Sequence, residues 1–296
     1  GREDQVQDMS IRSANGSKNF SASSLVNLLK KVPDVKSLCF DFNSVKITNW
    51  INYQPFLGTK NMISVRFIIY NDCKIDHQFA QIFTPHSITN LQISTKTYYS
   101  NNSNQSDDFV HNLIKLQQSI TTLSTSESNL KPELFKSLPL QSYELNNDGD
   151  GFSETSNEPL LQLVEDHPEM RSLTFIEDYE FEPRCFQMSP ALLTAMCHKP
   201  NLKSLNLIIT DQNIGYFHQL AHLSSATKVM LNLGNGDDVV DIKRIAAIFT
   251  SIALPNLEKV AIILVVIDLE NDDWYDEEVL EAHQAECEAP FPKEIF

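Results

Sequence analysis

Nine segments of the 296-residue chain share one spacing: an apolar residue, a second three positions on, a third two after that. "KPNLKSLNLIIT" shows it best, with Leu202, Leu205 and Leu207. The others are Val35, Leu38, Phe40; Met62, Val65, Phe67; Ile88, Leu91, Ile93; and Ile120, Leu123 with Thr125 in the third place. They continue with Leu140, Tyr143, Leu145; Met170, Leu173, Phe175; Ala226, Val229, Leu231; and Leu257, Val260, Ile262. Three-then-two is neither a helical stripe nor a strand alternation. Its mean recurrence of about 28 residues lies in the leucine-rich-repeat range. The fourth and fifth copies fit least well, because Thr125 is polar and only 20 residues separate Ile120 from Leu140.

The segments ahead of several copies read as helices. Ser21 to Pro33 carries Leu25, Val26, Leu28, Leu29 and Val32 behind a run of serine caps. Leu160, Leu161, Leu163 and Val164 form a second stripe, and Ala191, Leu192, Ala195 and Met196 a third. Ile242, Ile245, Ala246 and Phe249 form a fourth. Each ends near a proline (Pro33, Pro168, Pro200 or Pro255), which stops a helix and launches an extended segment. One such helix–strand unit cannot bury its own apolar face, so the units must stack. The expected fold is an α/β leucine-rich-repeat solenoid, a horseshoe of about nine irregular repeats with a concave parallel sheet and outer helices. Residues 21–268 form this domain, behind a flexible segment 1–20 and ahead of an acidic tail or cap, 269–296.

The net charge of −16 is concentrated at one end: Asp268 to Glu294 hold eleven acids against Lys293 alone. Such a balance argues against nucleic acid, which needs a basic surface. No apolar run reaches membrane-spanning length, "VAIILVVI" being strand-sized, and the first residues carry no apolar signal core. The five cysteines, Cys39, Cys73, Cys185, Cys197 and Cys287, never pair as CxxC and suit a reducing compartment. The expected location is cytoplasmic or nuclear.

"MCHKPNLKSLNLIITDQNI", Met196 to Ile214, resembles the repeat of F-box leucine-rich-repeat proteins of the ribonuclease-inhibitor-like group. Cys197 sits near that family's cysteine, and Ile209, Thr210 and Asp211 match its "ITD". Elsewhere the likeness is of apolar spacing only. The resemblance implies a substrate-recognition subunit of a cullin–RING ubiquitin ligase, in which an F-box docks the adaptor and the repeats hold the substrate. No F-box precedes the first repeat, and "PFPKEIF" matches an F-box opening too briefly to count. The adaptor is an expected partner only if an F-box lies outside this chain. The alternative is a leucine-rich-repeat scaffold with no ubiquitin link.

Chemical motifs are weak. "NNDGDGFSETSN" places Asn146, Asp148 and Asp150 as in a calcium loop, but its twelfth position is Asn157 where a bidentate Glu is needed. His218 and His222 fall at i, i+4 on one face of an expected helix, yet Gln219 stands where a zinc protease has Glu. His283 and Cys287 repeat that spacing without further ligands. "GNGDD" lacks the lysine of a phosphate loop. The chain is therefore expected not to be an enzyme and to hold no metal or cofactor.

The binding surface is expected between the leucines, because strand side chains alternate and those beside the core positions face outward. The candidate partner-binding residues are Arg66, Ile68, Thr174, Ile176, Asn206, Ile208, Met230, Asn232, Ala261 and Ile263. The early repeats offer a mainly polar wall, the late ones an apolar anchor site for a protein partner. The rival reading is that Trp274, Tyr275, Val279 and Leu280 of the tail cover those apolar residues as a cap.

Overall fold

The structure, a computed structural model, describes residues 7–12, 27–28, 30–32, 34–43, 45–47, 62–70, 73–96, 104–126, 131–146, 157–176, 188–209, 214–223, 225–233 and 256–264. The chain forms two compact units, Gly1–Gly149 and Asp150–Phe296.

In the first unit the strands β1 (Asp8–Arg12), β2 (Ser37–Phe42), β4 (Ser64–Tyr70), β6 (Asn90–Lys96), β7 (Thr122–Ser126) and β8 (Ser142–Asn146) lie side by side in that order. Every neighbouring pair is parallel. Parallel neighbours require crossovers. They are supplied by a 3-10 segment (His77–Phe83), by α1 (Asn104–Leu116) and by α2 (Pro132–Phe135). The short α2 fits the narrow gap between the fourth and fifth copies. A small parallel pair, β3 (Lys46–Ile47) with β5 (Lys74–Ile75), follows the β2 and β4 strands.

In the second unit β9 (Ser172–Ile176), β10 (Ser204–Ile209), β11 (Lys228–Leu233) and β12 (Lys259–Leu264) are again sequential and parallel. Helix α3 (Asn157–Asp166) precedes β9, α4 (Pro190–Cys197) joins β9 to β10, and a 3-10 segment (Ile214–His222) joins β10 to β11. Helix α4 starts as its sequence dictates: the Ser189 hydroxyl accepts from Leu192 N at 3.2 Å, and Pro190 occupies the first turn. Sequential parallel strands joined by these crossovers make this a leucine-rich-repeat solenoid fold.

The three-then-two spacing is the core. Val35, Leu38, Phe40, Met62, Val65, Phe67, Ile88, Leu91 and Ile93 are all buried, as are Leu202, Leu205 and Leu207. In the first unit this core is aromatic. Phe40 stacks on Phe67 at 5.1 Å, and Phe83 and Phe109 meet the Phe67 ring edge-on at 5.7 and 5.1 Å. Such pairs contribute about 0.5–1.5 kcal/mol beyond their burial.

Four expectations need correction. The segment 1–20 contributes β1, whose Met9 and Ile11 pair with Leu38 and Phe40 in the register of one further repeat. Leu28, assigned to an apolar helical stripe, is 42% exposed. Ala191 is exposed too, the buried side of α4 being Leu192, Leu193, Met196 and Cys197. His218 and His222 lie on a 3-10 segment, whose three residues per turn put i and i+4 about 120° apart rather than on one face.

Candidate interaction face

Strand alternation divides each sheet into a core side and an outer side. On the first unit's outer side Ser10, Cys39, Arg66, Gln92, Ser124 and Glu144 form one register row. Arg66 is exposed, with Cys39 and Gln92 half-buried beside it. Ile68 is half-buried between Asp41 and Ser94. Asp41 pairs with Arg12 at 3.7 Å, but Arg12 is 77% exposed. An ion pair this open contributes little.

The wall is less open than its sequence implies: Ser124 and Ser126 are buried. Ser124 Oγ donates to Glu144 Oε1 at 2.8 Å and accepts from Asn146 Nδ2 at 2.7 Å. These three polar groups satisfy one another across β7 and β8 instead of standing free for a ligand.

In the second unit Thr174 is half-buried and Ile176 is 41% exposed. Asn206 donates from Nδ2 to the Phe175 carbonyl at 3.2 Å, which fastens β10 to β9. Its Oδ1 is enclosed and accepts no hydrogen bond among the described residues. Met230 is half-buried and in register with Asn206 and Ala261. Ile208, Asn232 and Ile263 share the next row but one. The side chains of Ile208, Asn232, Ala261 and Ile263 lie outside the described residues. The structure thus brings Thr174, Ile176, Asn206 and Met230 together on one unit, and puts Arg66 and Ile68 on the other.

Strand β1, which brings Ser10 and Arg12 beside Cys39 and Asp41, is not among the nine copies. Its signal was present, since Val6, Met9 and Ile11 carry the same three-then-two spacing. In the second unit Lys228 is in register with Lys259 at the start of β11 and β12.

The remaining motif residues that fall among the described ones make local contacts. Asn157, the twelfth position of the calcium-like stretch, accepts from Ser189 N at 2.7 Å and so braces α4 against α3; residues 147–156 lie outside the described residues. His222 stacks on His198 with centroids 5.0 Å apart and planes 21° apart, so the two rings do not converge on a common point. His218 Nδ1 lies 3.0 Å from its own turn's Gly215 carbonyl. Among the described residues no three His, Cys, Asp or Glu side chains group to hold a metal. "GNGDD", the His283–Cys287 pair, the tail residues Trp274, Tyr275, Val279 and Leu280, and "PFPKEIF" lie outside the described residues.

Cys39, Cys73 and Cys197 are thiols outside any disulfide. Cys73 donates to the Phe42 carbonyl at 2.9 Å. Burial pushes the Cys197 thiol up to about 12, so near neutrality it packs as a small apolar group, not as a thiolate. Burial lowers the pKa of His167, with Asp166 opposing and Lys199 reinforcing the shift. Burial also lowers Lys199, against the pull of Glu165 and Asp166. No helix of the described residues is long and apolar enough to cross a membrane.

No family model matches the chain, and no curated protein matches it. Among solved structures it is similar to the leucine-rich-repeat-containing protein LegL7 from Legionella pneumophila, at 15% identity and a TM-score of 0.42, over 86% of this chain and 90% of that one.

Proposed function

We propose that the chain is a protein-interaction module that binds its partner on the outer sheet face of the second unit, and that it performs no catalysis of its own. One observation carries this reading: Ile176, a large apolar side chain, stands 41% exposed on the sheet face that bears Thr174, Asn206 and Met230. A sheet face that presents apolar side chains beside polar ones suits a protein surface, where a few buried anchors carry most of the affinity. The net charge of −16 disfavours a nucleic-acid partner.

The finer role is substrate recognition for a cullin–RING ubiquitin ligase in the cytoplasm or nucleus. It is supported by the likeness of Met196–Ile214 to the repeats of F-box receptors.

Two measurements separate the levels of this reading. Ile176→Asp with Met230→Asp is expected to abolish co-purification of the chain's protein partner while leaving circular dichroism and melting unchanged. Undiminished co-purification would remove the face from consideration. The ligase role predicts that the full-length protein pulls down the cullin adaptor. Partner binding without the adaptor would leave a scaffold with no ubiquitin link.

A further inference from the structure

The second unit's sheet sets cations beside its exposed apolar side chain. Ser172 of β9 is in register with Ser204 of β10, and Ser204 with Lys228 of β11. Strand alternation puts Lys228, two residues before Met230, on the same outer side as Met230. Just ahead of this row runs the leading edge. There Lys203 N donates to the Arg171 carbonyl at 2.8 Å and Thr227 N to the Lys203 carbonyl at 2.9 Å, which sets Arg171 and Lys203 on neighbouring strands. Arg171 and Lys203 are exposed and Lys228 is half-buried.

These three cations form no ion pair among the described residues. The nearby acids are placed otherwise. Glu169 accepts from the Asn201 amide at 3.0 Å, and Glu165 and Asp166 act on Lys199. Glu258 is the acid of the leading edge, next in line after Thr227 and followed by Lys259, which has an interaction of its own. In a chain of net charge −16 this end of the sheet is a local reversal of sign.

The cations and the apolar side chain have a definite spacing. Ile176 is four residues beyond Ser172, and Lys228 is two strands over from Ser172. With strands about 4.8 Å apart and a rise of about 3.3 Å per residue, roughly 16 Å separates Ile176 from Lys228. Asn206 lies midway on that diagonal, its Nδ2 donating to the Phe175 carbonyl at 3.2 Å. An extended segment crosses this distance in about five residues.

We propose that this face takes an extended, acidic segment of a protein partner, which seats an apolar side chain on Ile176 and lays carboxylates on Lys228, Lys203 and Arg171 about five residues away. The inference rests on the reading of this face as the binding surface and adds the chemistry of what it binds. The apolar contact supplies affinity, and the charges steer and orient the segment. A nucleic acid would satisfy the cations but not Ile176, and would meet the repulsion of the chain's net charge.

The test uses the full chain and a phage-displayed library of random peptides of about twelve residues, long enough to span the diagonal. Affinities of the selected peptides are then read by fluorescence anisotropy. The expected peptides carry a large apolar residue with Asp or Glu clustered about five positions away. Lys203→Glu with Lys228→Glu should weaken their binding about tenfold, and peptides with Lys in place of the acids should recover binding to that variant. Ile176→Asp should weaken both kinds of peptide. Circular dichroism and melting of the variants should match the parent; if the charge reversal disturbs the fold, Lys203→Gln with Lys228→Gln should still weaken binding, to a smaller degree. Binding lost in Ile176→Asp but indifferent to the lysines overturns the acidic partner and leaves the face. Binding indifferent to Ile176→Asp and to the lysines removes the face as well. Selection of uncharged or basic peptides, no selection beyond that by the Ile176→Asp, Met230→Asp chain, or displacement of the peptides by equimolar random single-stranded DNA would each overturn the proposal.

Discussion

Thr125 and Tyr143 are departures from the apolar repeat that make sense only together. Each occupies a core slot, each is fully buried, and their hydroxyls lie 2.7 Å apart. Burial raises the Tyr143 pKa well above its ordinary value, so the phenol stays protonated and able to donate. Tyr143→Phe is expected to cost about 1–3 kcal/mol, because it leaves the Thr125 hydroxyl buried without its partner. Adding Thr125→Val should recover most of that loss, as urea midpoints of the two variants would show. A chain that reads Thr in a leucine slot looks like a broken repeat until the compensating residue is known, and that residue lies 18 positions on. The same limit hid the state of Ser124, whose burial depends on Glu144 and Asn146 rather than on its own repeat. A second residue-scale expectation concerns pH. His167 is buried and its pKa is lowered from 6.5, so the folded chain resists a proton that the unfolded chain accepts. Stability present above pH 6.5 therefore declines as pH falls from there toward the folded pKa. His167→Gln, uncharged throughout, should flatten that decline, and a midpoint difference from the parent chain that does not change between about pH 7.5 and 5 would count against it.

Elements were legible where apolar periodicity and caps agreed. Helix α4 shows both, with Ser189 and Pro190 at its start and Leu192, Leu193 and Met196 inside. Strand β1 was not, because five charged or polar neighbours mask a spacing that only pairing with β2 makes visible. Nor was the 3-10 character of His77–Phe83 and Ile214–His222, since a period of three and one of 3.6 diverge little over two turns. What joins such crossovers to the sheet is also non-periodic. Gln117, just after α1, is buried; its Nε2 donates to the Phe83 carbonyl at 2.7 Å and its Oε1 accepts from Ile88 N at 3.3 Å. The side chain thereby ties the end of one crossover to the approach of β6. Gln117→Leu keeps the volume and removes both bonds; the Phe83 carbonyl still accepts from His86 N at 3.0 Å, so the Ile88 N–H is the backbone group left unpaired. The expected loss is about 1–3 kcal/mol, and a variant as stable as the parent in urea melts would show that water or a backbone shift replaces the amide.

At the scale of the whole chain, the stacking pattern sets how damage spreads. In a repeat protein each unit contacts its neighbours along the sheet, so stability is a sum of local and nearest-neighbour terms and need not be a single cooperative quantity. Phe67 is a sharp probe, because its ring touches Phe40 from β2, Phe83 from the following crossover and Phe109 from α1. Phe67→Ala removes these contacts, and that with Phe79, and should cost about 3–5 kcal/mol locally. The amides of β2, β4 and β6 should then exchange with solvent markedly faster. Those of β10 and β11, built on Leu205, Leu207 and Val229 in the other compact unit, should keep their protection. Native-state hydrogen exchange read by mass spectrometry distinguishes the outcomes directly. Loss of protection confined to the first unit means that the outer face of the second, where Ile176 and Met230 stand, is held independently of the aromatic core. A uniform loss across both units would instead make the chain one cooperative body, in which a core mutation in the first unit disables the binding face of the second.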